Sequence, residues 1–180
     1  MSLILVLAGA GCGSLDASQP IALVPDADWT PGYRDALVRA AECWNLGFGT
    51  QLVVGNERRY PQEVGFSTSD FVCTYAAART EPTLPVHVYV CPLSYWTGSE
   101  LPGLVFMTLL HELGHVVNIR AHAESPLAVM GYPEDLYTRP SRFTEEDQRL
   151  FAEANPELPA GCAPRLTIAD TIYGYRCSCP

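Results

Sequence analysis

Short segments rich in apolar residues predict β-strands in the first half of the chain. Residues 86–91 read Val-His-Val-Tyr-Val-Cys, with valine at every second position, as expected for a strand that buries one face. Three other segments combine apolar or β-branched residues over the length of a strand. The predicted strands are 20–24, 51–54, 71–77 and 86–91.

Capping residues predict a first helix after residue 30. Thr30 is a suitable N-cap, Pro31 stands at the first helical position, and apolar residues recur through Trp44. Gly47 and Gly49 are placed to end this helix.

Two further helices follow in the second half of the chain. Pro102 begins an apolar segment that predicts a buried helix. Thr144 and Asp147 have the spacing of a capping box, which predicts the start of a last helix that runs to Ala154.

The second predicted helix contains His111-Glu112-Leu113-Gly114-His115. Residues four apart share a helix face, so His111 and His115 can bind one zinc ion at about 2.0–2.1 Å. Glu112 can take a proton from a water on that ion. A five-residue motif also arises by chance, and the alternative is two partly exposed histidines on an ordinary amphipathic helix.

Two later residues extend this motif. His122 follows His115 by seven positions, and Met130 follows eight positions later in Ser-Pro-Leu-Ala-Val-Met-Gly-Tyr-Pro. A helical zinc motif, a turn, a third histidine and a methionine turn resemble the metzincin metalloproteases. The resemblance covers about residues 101–151. It implies that His111, His115 and His122 bind one catalytic Zn²⁺, above a methionine that packs beneath the metal site without binding the ion.

The chain departs from the metzincin pattern where the helix ends. The pattern H-E-x-x-H-x-x-G-x-x-H has glycine at the position of Asn118 and histidine at the position of Ala121. The glycine lets the helix stop in the left-handed conformation, and asparagine also tolerates that conformation. Asn118 is therefore predicted to make the same turn. His122, one residue late, is the predicted third ligand, and Glu124 is the alternative.

The resemblance also implies a fold and a mechanism. The expected fold is α+β, with a twisted mixed β-sheet, a backing helix, a zinc-binding active-site helix and a C-terminal helix. The expected activity is that of a zinc-dependent endopeptidase, in which Glu112 is the general base and returns its proton to the leaving amine. Tyr132 follows the methionine by two, as in astacin- and serralysin-type turns, and is predicted to reach the zinc or donate to the oxyanion.

The resemblance further suggests where a substrate would lie. A peptide is expected to pair by main-chain hydrogen bonds with an edge strand near 85–91. Residues 131–140 are expected to line the pocket that binds the first substrate residue after the scissile bond.

Composition and charge restrict the partners. With 48% hydrophobic and 17% charged residues, the chain is typical of globular rather than disordered proteins. A net charge of −9 argues against nucleic acid and anionic membrane surfaces. The expected partner is a peptide or protein substrate, and the protein is expected to be a monomer.

The N-terminal residues predict export. Residues 3–8 are apolar but too short to span a bilayer. One hypothesis is a bacterial lipobox that ends in a lipidated Cys12, and another is cleavage after the small residues 8–10. A third is a buried N-terminal strand. The predicted organisation is a signal peptide with lipobox (1–12), a tether (13–19) and one catalytic domain (20–180). The protein would then be a lipoprotein of the bacterial cell envelope, touching the membrane only through Cys12, or a secreted protein.

The cysteine count agrees with export. Of seven cysteines, six remain when Cys12 is set aside, enough for three disulfides in an oxidising compartment. Cys177 and Cys179 are predicted to fasten the C-terminal tail to the domain. Cys73 and Cys91 flank two predicted strands and could form a bridge. The alternative, a metal cluster or free thiols, lacks paired C-x-x-C spacing.

Two other functions remain open at this stage. One is a non-catalytic surface protein that keeps the fold for binding, with a structural zinc. An intact Glu112 argues against it, because a structural site needs no base. The other is a zinc hydrolase that acts on a non-peptide amide.

Overall fold

The described residues form a mixed β-sheet, three helices and a separate C-terminal hairpin. In a computed structural model these residues are 14–55, 60–70, 78–81, 85–92, 101–131, 142–158, 161–168 and 175–179. The elements are β1 (Ile21–Pro25), α1 (Pro31–Phe48), β2 (Leu52–Val54), β3 (Gln62–Thr68), β4 (Ala78–Glu81), β5 (His87–Val90), α2 (Leu101–Val116), α3 (Glu145–Ala154), β6 (Arg165–Ile168) and β7 (Tyr175–Ser178).

The main sheet has the strand order β2-β1-β3-β5-β4. All neighbouring pairs are parallel except β5 and β4, which are antiparallel. The sheet is therefore mixed, and with α1, α2 and α3 it confirms the predicted α+β fold.

One prediction about the sheet is wrong. The segment near 85–91 was expected at the sheet edge, but β5 lies between β3 and β4. Among the described strands, β4 lies at this end of the sheet, and its sequence Ala-Arg-Thr-Glu has no apolar alternation that would predict a strand. The strand predicted at 71–77 lies outside the described residues.

Capping residues define the helix ends as predicted. The Thr30 side chain accepts a hydrogen bond from the Tyr33 amide, and Gly49 ends α1 with φ 66°. The capping box of Thr144 and Asp147 is present at the start of α3. The ends of these helices are therefore fixed by local interactions that the sequence reveals.

Aromatic side chains pack α1 against the other helices. Trp44 is fully buried, and its Nε1–H donates to the carbonyl oxygen of Leu110 in α2 at 2.8 Å. Phe48, Phe143 and Phe151 pack around it with ring centroids 4.6–6.0 Å apart. This cluster fixes α2, and with it the histidine motif, relative to α1 and α3.

Disulfides join the C-terminal tail to the domain, as predicted. Cys177 in β7 bonds to Cys43 in α1, and Cys179 bonds to Cys162. Cys91 is also disulfide-bonded. Cys73 and Cys12 lie outside the described residues.

The segment 14–19, expected as a tether, packs on the domain. Leu15 and Ala17 are buried. The Gln62 side chain accepts from the Asp16 amide at 2.5 Å and donates to the Asp16 carbonyl at 2.9 Å. Among the described helices, none has both the length and the apolar character required to cross a membrane.

Candidate metal centre

Three histidines converge at the C-terminal half of α2. The ligand atoms of His111, His115 and His122 all lie within 4.8 Å of one another. His111 and His115 are one helical turn apart, and the ring of His122 stacks on His111 at a centroid distance of 5.2 Å. His122, although one residue late in the sequence, therefore reaches the other two.

The turn after α2 brings His122 next to His111 and His115. Asn118 has φ 74° and is the non-glycine residue with positive φ in the described part of the chain. The Ile119 amide donates to the Gly114 carbonyl at 3.0 Å, and the Asn118 amide donates to the His115 carbonyl at 3.1 Å. This pair of bonds is a Schellman motif. The prediction that Asn118 replaces the glycine of the metzincin pattern is confirmed.

The side chain of Asn118 adds contacts that glycine would lack. Its Nδ2 donates to the Leu15 carbonyl at 2.7 Å and to Asn155 Oδ1 at 3.1 Å. Asn155 in turn donates to the Val117 carbonyl at 2.8 Å. The turn is thereby held between the N-terminal segment and the end of α3.

Backbone carbonyls orient two of the three imidazoles. His111 Nδ1 lies 2.8 Å from the Val129 carbonyl oxygen, and His115 Nδ1 lies 2.6 Å from that of Ile119. Because a carbonyl can only accept, each Nδ1 carries the proton. In the neutral ring Nε2 is then the lone-pair nitrogen available to a metal.

The Val129 carbonyl is itself held by a buried carboxylate. Asp147 is fully buried, and its two oxygens accept from the amides of Val129 at 3.1 Å and Met130 at 2.8 Å. Burial raises the pKa of Asp147, against the hydrogen bonds from Thr144, Met130 and Val129. The residue that caps α3 therefore also fixes the turn that orients His111.

Burial favours the neutral forms of His111 and His115. It lowers the pKa of His111 to about 3, with the charge of His115 acting in the same direction and the bond to Val129 opposing it. Burial also lowers the pKa of His115. Neutral imidazoles are the form that binds a metal, so these side chains need not lose a proton first.

Glu112 is a buried carboxyl group next to this cluster. It is 6% exposed, and its Oε2 accepts a hydrogen bond from the Thr80 hydroxyl at 2.5 Å. Burial raises the pKa of Glu112 to about 7, and the bonds from Thr80 oppose the shift. A carboxyl group with such a pKa can accept and release a proton near neutral pH.

Met130 lies under the motif, as the resemblance implied. It is fully buried, and a Cβ built on Gly114 would overlap its sulfur and approach Trp44 Cζ2 at 3.1 Å. The glycine inside the histidine motif therefore leaves the space that the methionine fills.

The other predicted site residues differ in outcome. Glu124 is exposed, and its amide donates to a Glu146 carboxylate oxygen at 2.9 Å. Among the described residues, the candidate metal cluster consists of the three histidines and does not include Glu124. Tyr132 lies outside the described residues. The sequence did not predict the bond of Thr80 to Glu112, because Thr80 belongs to no motif. It predicted Asp147 as a helix cap but not its bonds to the amides of Val129 and Met130.

A cavity of about 270 Å³ adjoins the centre. Its lining includes His115 and Thr80, together with the apolar side chains of Leu15, Val86 and Ile119. The space beside His115 is thus bounded by β4, the turn after α2 and the N-terminal segment.

Comparison with known proteins supports the fold. No protein-family model matches the chain, and no curated protein sequence matches it. Among solved structures it resembles archaemetzincin (amzA) from Methanopyrus kandleri, with a TM-score of 0.55 and 14% identity. The match covers 84% of this chain and 100% of that one. At this identity the similarity establishes an archaemetzincin-like fold, and the chemistry must be argued from the side chains.

Proposed function

We propose that this protein is a zinc-dependent endopeptidase. The observation that carries the proposal is the cluster of His111, His115 and His122 beside the buried carboxyl of Glu112. The archaemetzincin-like fold supports it. A structural zinc needs only ligands, whereas this site also holds an acid–base group.

The donor set fits one zinc ion. Three neutral imidazoles leave a fourth position open, which is the composition of catalytic rather than structural zinc sites. When bound, zinc would supply a water of lowered pKa, about 7, and polarise the scissile carbonyl. Glu112 takes the proton of the attacking water on a carboxylate oxygen and delivers it to the leaving amine.

The substrate would be an extended peptide. Among the described strands, β4 is at the edge of the main sheet and pairs only with β5. A peptide added beside β4 would be held by main-chain hydrogen bonds and pass close to Thr80. The adjoining cavity of about 270 Å³ offers room for a substrate side chain. Tyr132 is proposed to donate to the oxyanion.

Two other functions are tested by the same experiment. A non-catalytic binding protein with a structural zinc would bind the ion and cleave nothing. A hydrolase of a non-peptide amide would bind zinc and leave peptides intact while cleaving small amides.

The test measures zinc content and peptide cleavage together. The purified protein should bind one zinc ion and cleave members of a mixed peptide library, and a chelator should abolish cleavage. Glu112→Gln should keep the zinc and lose activity by about 10²–10⁴-fold or more, because an amide cannot accept the proton. Equal cleavage by the variant and the parent would reject the mechanism.

We also propose export with a lipid anchor at Cys12. The apolar run before Cys12 and the two disulfides among the described residues support it. In a bacterial host the mature protein should begin at Cys12 and partition with membranes, and Cys12→Ser should release it or leave it unprocessed. An unmodified N-terminus at Gly11 in mass spectrometry would favour secretion instead. Size measurement in solution would test the expected monomer.

A further inference from the structure

Thr80 connects the edge of the sheet to the carboxyl group of Glu112. Its hydroxyl lies 2.5 Å from Glu112 Oε2 and 3.4 Å from the Glu112 carbonyl oxygen. These residues are 32 positions apart in the sequence, so the contact exists only because β4 packs on α2. A hydroxyl has one proton, and the shorter contact identifies the ionised carboxylate, which can only accept, as its acceptor.

The hydroxyl is held in place by its surroundings. Thr80 pairs with Val88 of β5 in the antiparallel ladder, which fixes its backbone. A β-branched side chain has few χ1 rotamers, so little freedom remains once the backbone is fixed. A hydrogen bond from a hydroxyl to a carboxylate at this length is a strong, charge-assisted one.

The bond selects one orientation of the Glu112 carboxylate. Oε2 accepts the bond from the Thr80 hydroxyl, and the Thr80 backbone also bonds to the Glu112 carboxylate. A free carboxylate would rotate about its terminal torsion, which is broad and roughly two-fold. Catalysis depends on such groups being held close to their productive geometry.

We propose that Thr80 is a positioning residue for the general base, and that its hydroxyl fixes the orientation of the Glu112 carboxylate. This inference rests on the proposed endopeptidase function. It also means that the strand that would pair with the substrate is the strand that orients the base.

The kinetic test compares two substitutions of Thr80. Thr80→Val keeps the shape and removes the hydroxyl; it should lower kcat roughly 10- to 100-fold, as expected for a lost hydrogen bond to a charged group, with little change in KM or zinc affinity. Thr80→Ser retains the hydroxyl and should restore most of kcat. Thr80→Ala provides a second hydroxyl-free variant should the valine variant fail to fold.

A matched control separates positioning from stability. Thr50 is a buried threonine away from the histidines, and its hydroxyl donates to Asn45 Oδ1 at 2.9 Å. Thr50→Val should lower the melting temperature and leave kcat unchanged. A kcat of Thr80→Val equal to that of the parent, or an equal loss in Thr80→Ser, would overturn the proposal.

A second readout does not require activity. In the metal-free protein, the ¹³C resonance of the Glu112 carboxyl should shift in Thr80→Val and stay near the parent position in Thr80→Ser and Thr50→Val. If the parent cleaves no peptide, the endopeptidase proposal fails, and this measurement still decides whether Thr80 holds the carboxyl. An unchanged resonance in Thr80→Val would reject the positioning role.

Discussion

Gly114 and Met130 share one space beneath the histidine motif. A Cβ on Gly114 would overlap the Met130 sulfur, and Met130 is fully buried with Trp44 close behind. The glycine between Leu113 and His115 is therefore a packing requirement of the methionine turn.

Gly114→Ala should destabilise the protein in spite of alanine's better helix propensity. The propensity gain is at most about 1 kcal/mol. Overpacking a buried site costs about 1–3 kcal/mol, and Met130 is fully buried. Denaturant unfolding should give a net loss. In a double-mutant cycle with Met130→Ala the two losses should be less than additive, and strict additivity would contradict the proposed contact.

His122→Ala should weaken zinc binding strongly and abolish cleavage. A catalytic zinc site needs three protein ligands, and His122 lies within 4.8 Å of the other two histidines. Glu124→Ala is the control and should change zinc affinity little, because Glu124 is exposed. Zinc competition with a chelator measures both variants. A larger effect of Glu124→Ala would reverse the ligand assignment.

Asn118→Ala should cost more stability than Asn118→Gly. Both variants lose the hydrogen bonds to Leu15 and Asn155, at about 0.5–1.5 kcal/mol each. Only alanine must also adopt φ 74°, which costs a further 1–2 kcal/mol or so. The two free energies of unfolding, measured with denaturant on metal-free protein, should differ by about that amount. Equal values would mean that the left-handed turn imposes no strain.

The pH dependence of the stability of the metal-free protein should include opposing contributions from two histidines and from Glu112. Burial lowers the pKa of His111 to about 3 and also lowers that of His115, so on acidification below 6.5 the unfolded chain takes up protons that the folded chain does not. These histidines make the free energy of unfolding fall as pH falls. Glu112 has the opposite effect on the free energy of unfolding. Burial raises its pKa to about 7, so as pH falls the folded chain binds this proton at a higher pH than the unfolded chain does.

Glu112→Gln should therefore make the metal-free protein more sensitive to acid. Between pH 6.5 and about 4.5 the variant keeps the histidine contribution and loses the opposing contribution of the carboxyl group. The slope of its free energy of unfolding against pH should therefore be steeper than that of the parent, by at most about 1.4 kcal/mol per pH unit. Denaturant unfolding at several pH values measures both slopes. A slope in the variant that equals or falls below that of the parent would contradict the assigned protonation states.

The sequence by itself determined the features that depend on neighbouring residues. The caps at Thr30 and Thr144, the histidine pair on one helix face and the turn at Asn118 all follow from local backbone geometry. Side-chain type and spacing specify such features because the interacting groups lie within a few positions of each other.

Only the tertiary structure decided which segments that are distant in the sequence pair and pack with each other. Strand β4 has no apolar alternation and forms because it can pair with β5. As a result β5, which was predicted at the sheet edge, lies between β3 and β4. The contact of Thr80 with Glu112 and the bond that Asp147 accepts from the Met130 amide join residues 32 and 17 positions apart. Neither contact leaves a periodic pattern in the sequence, because each depends on which sheet edge and which helix end pack against α2.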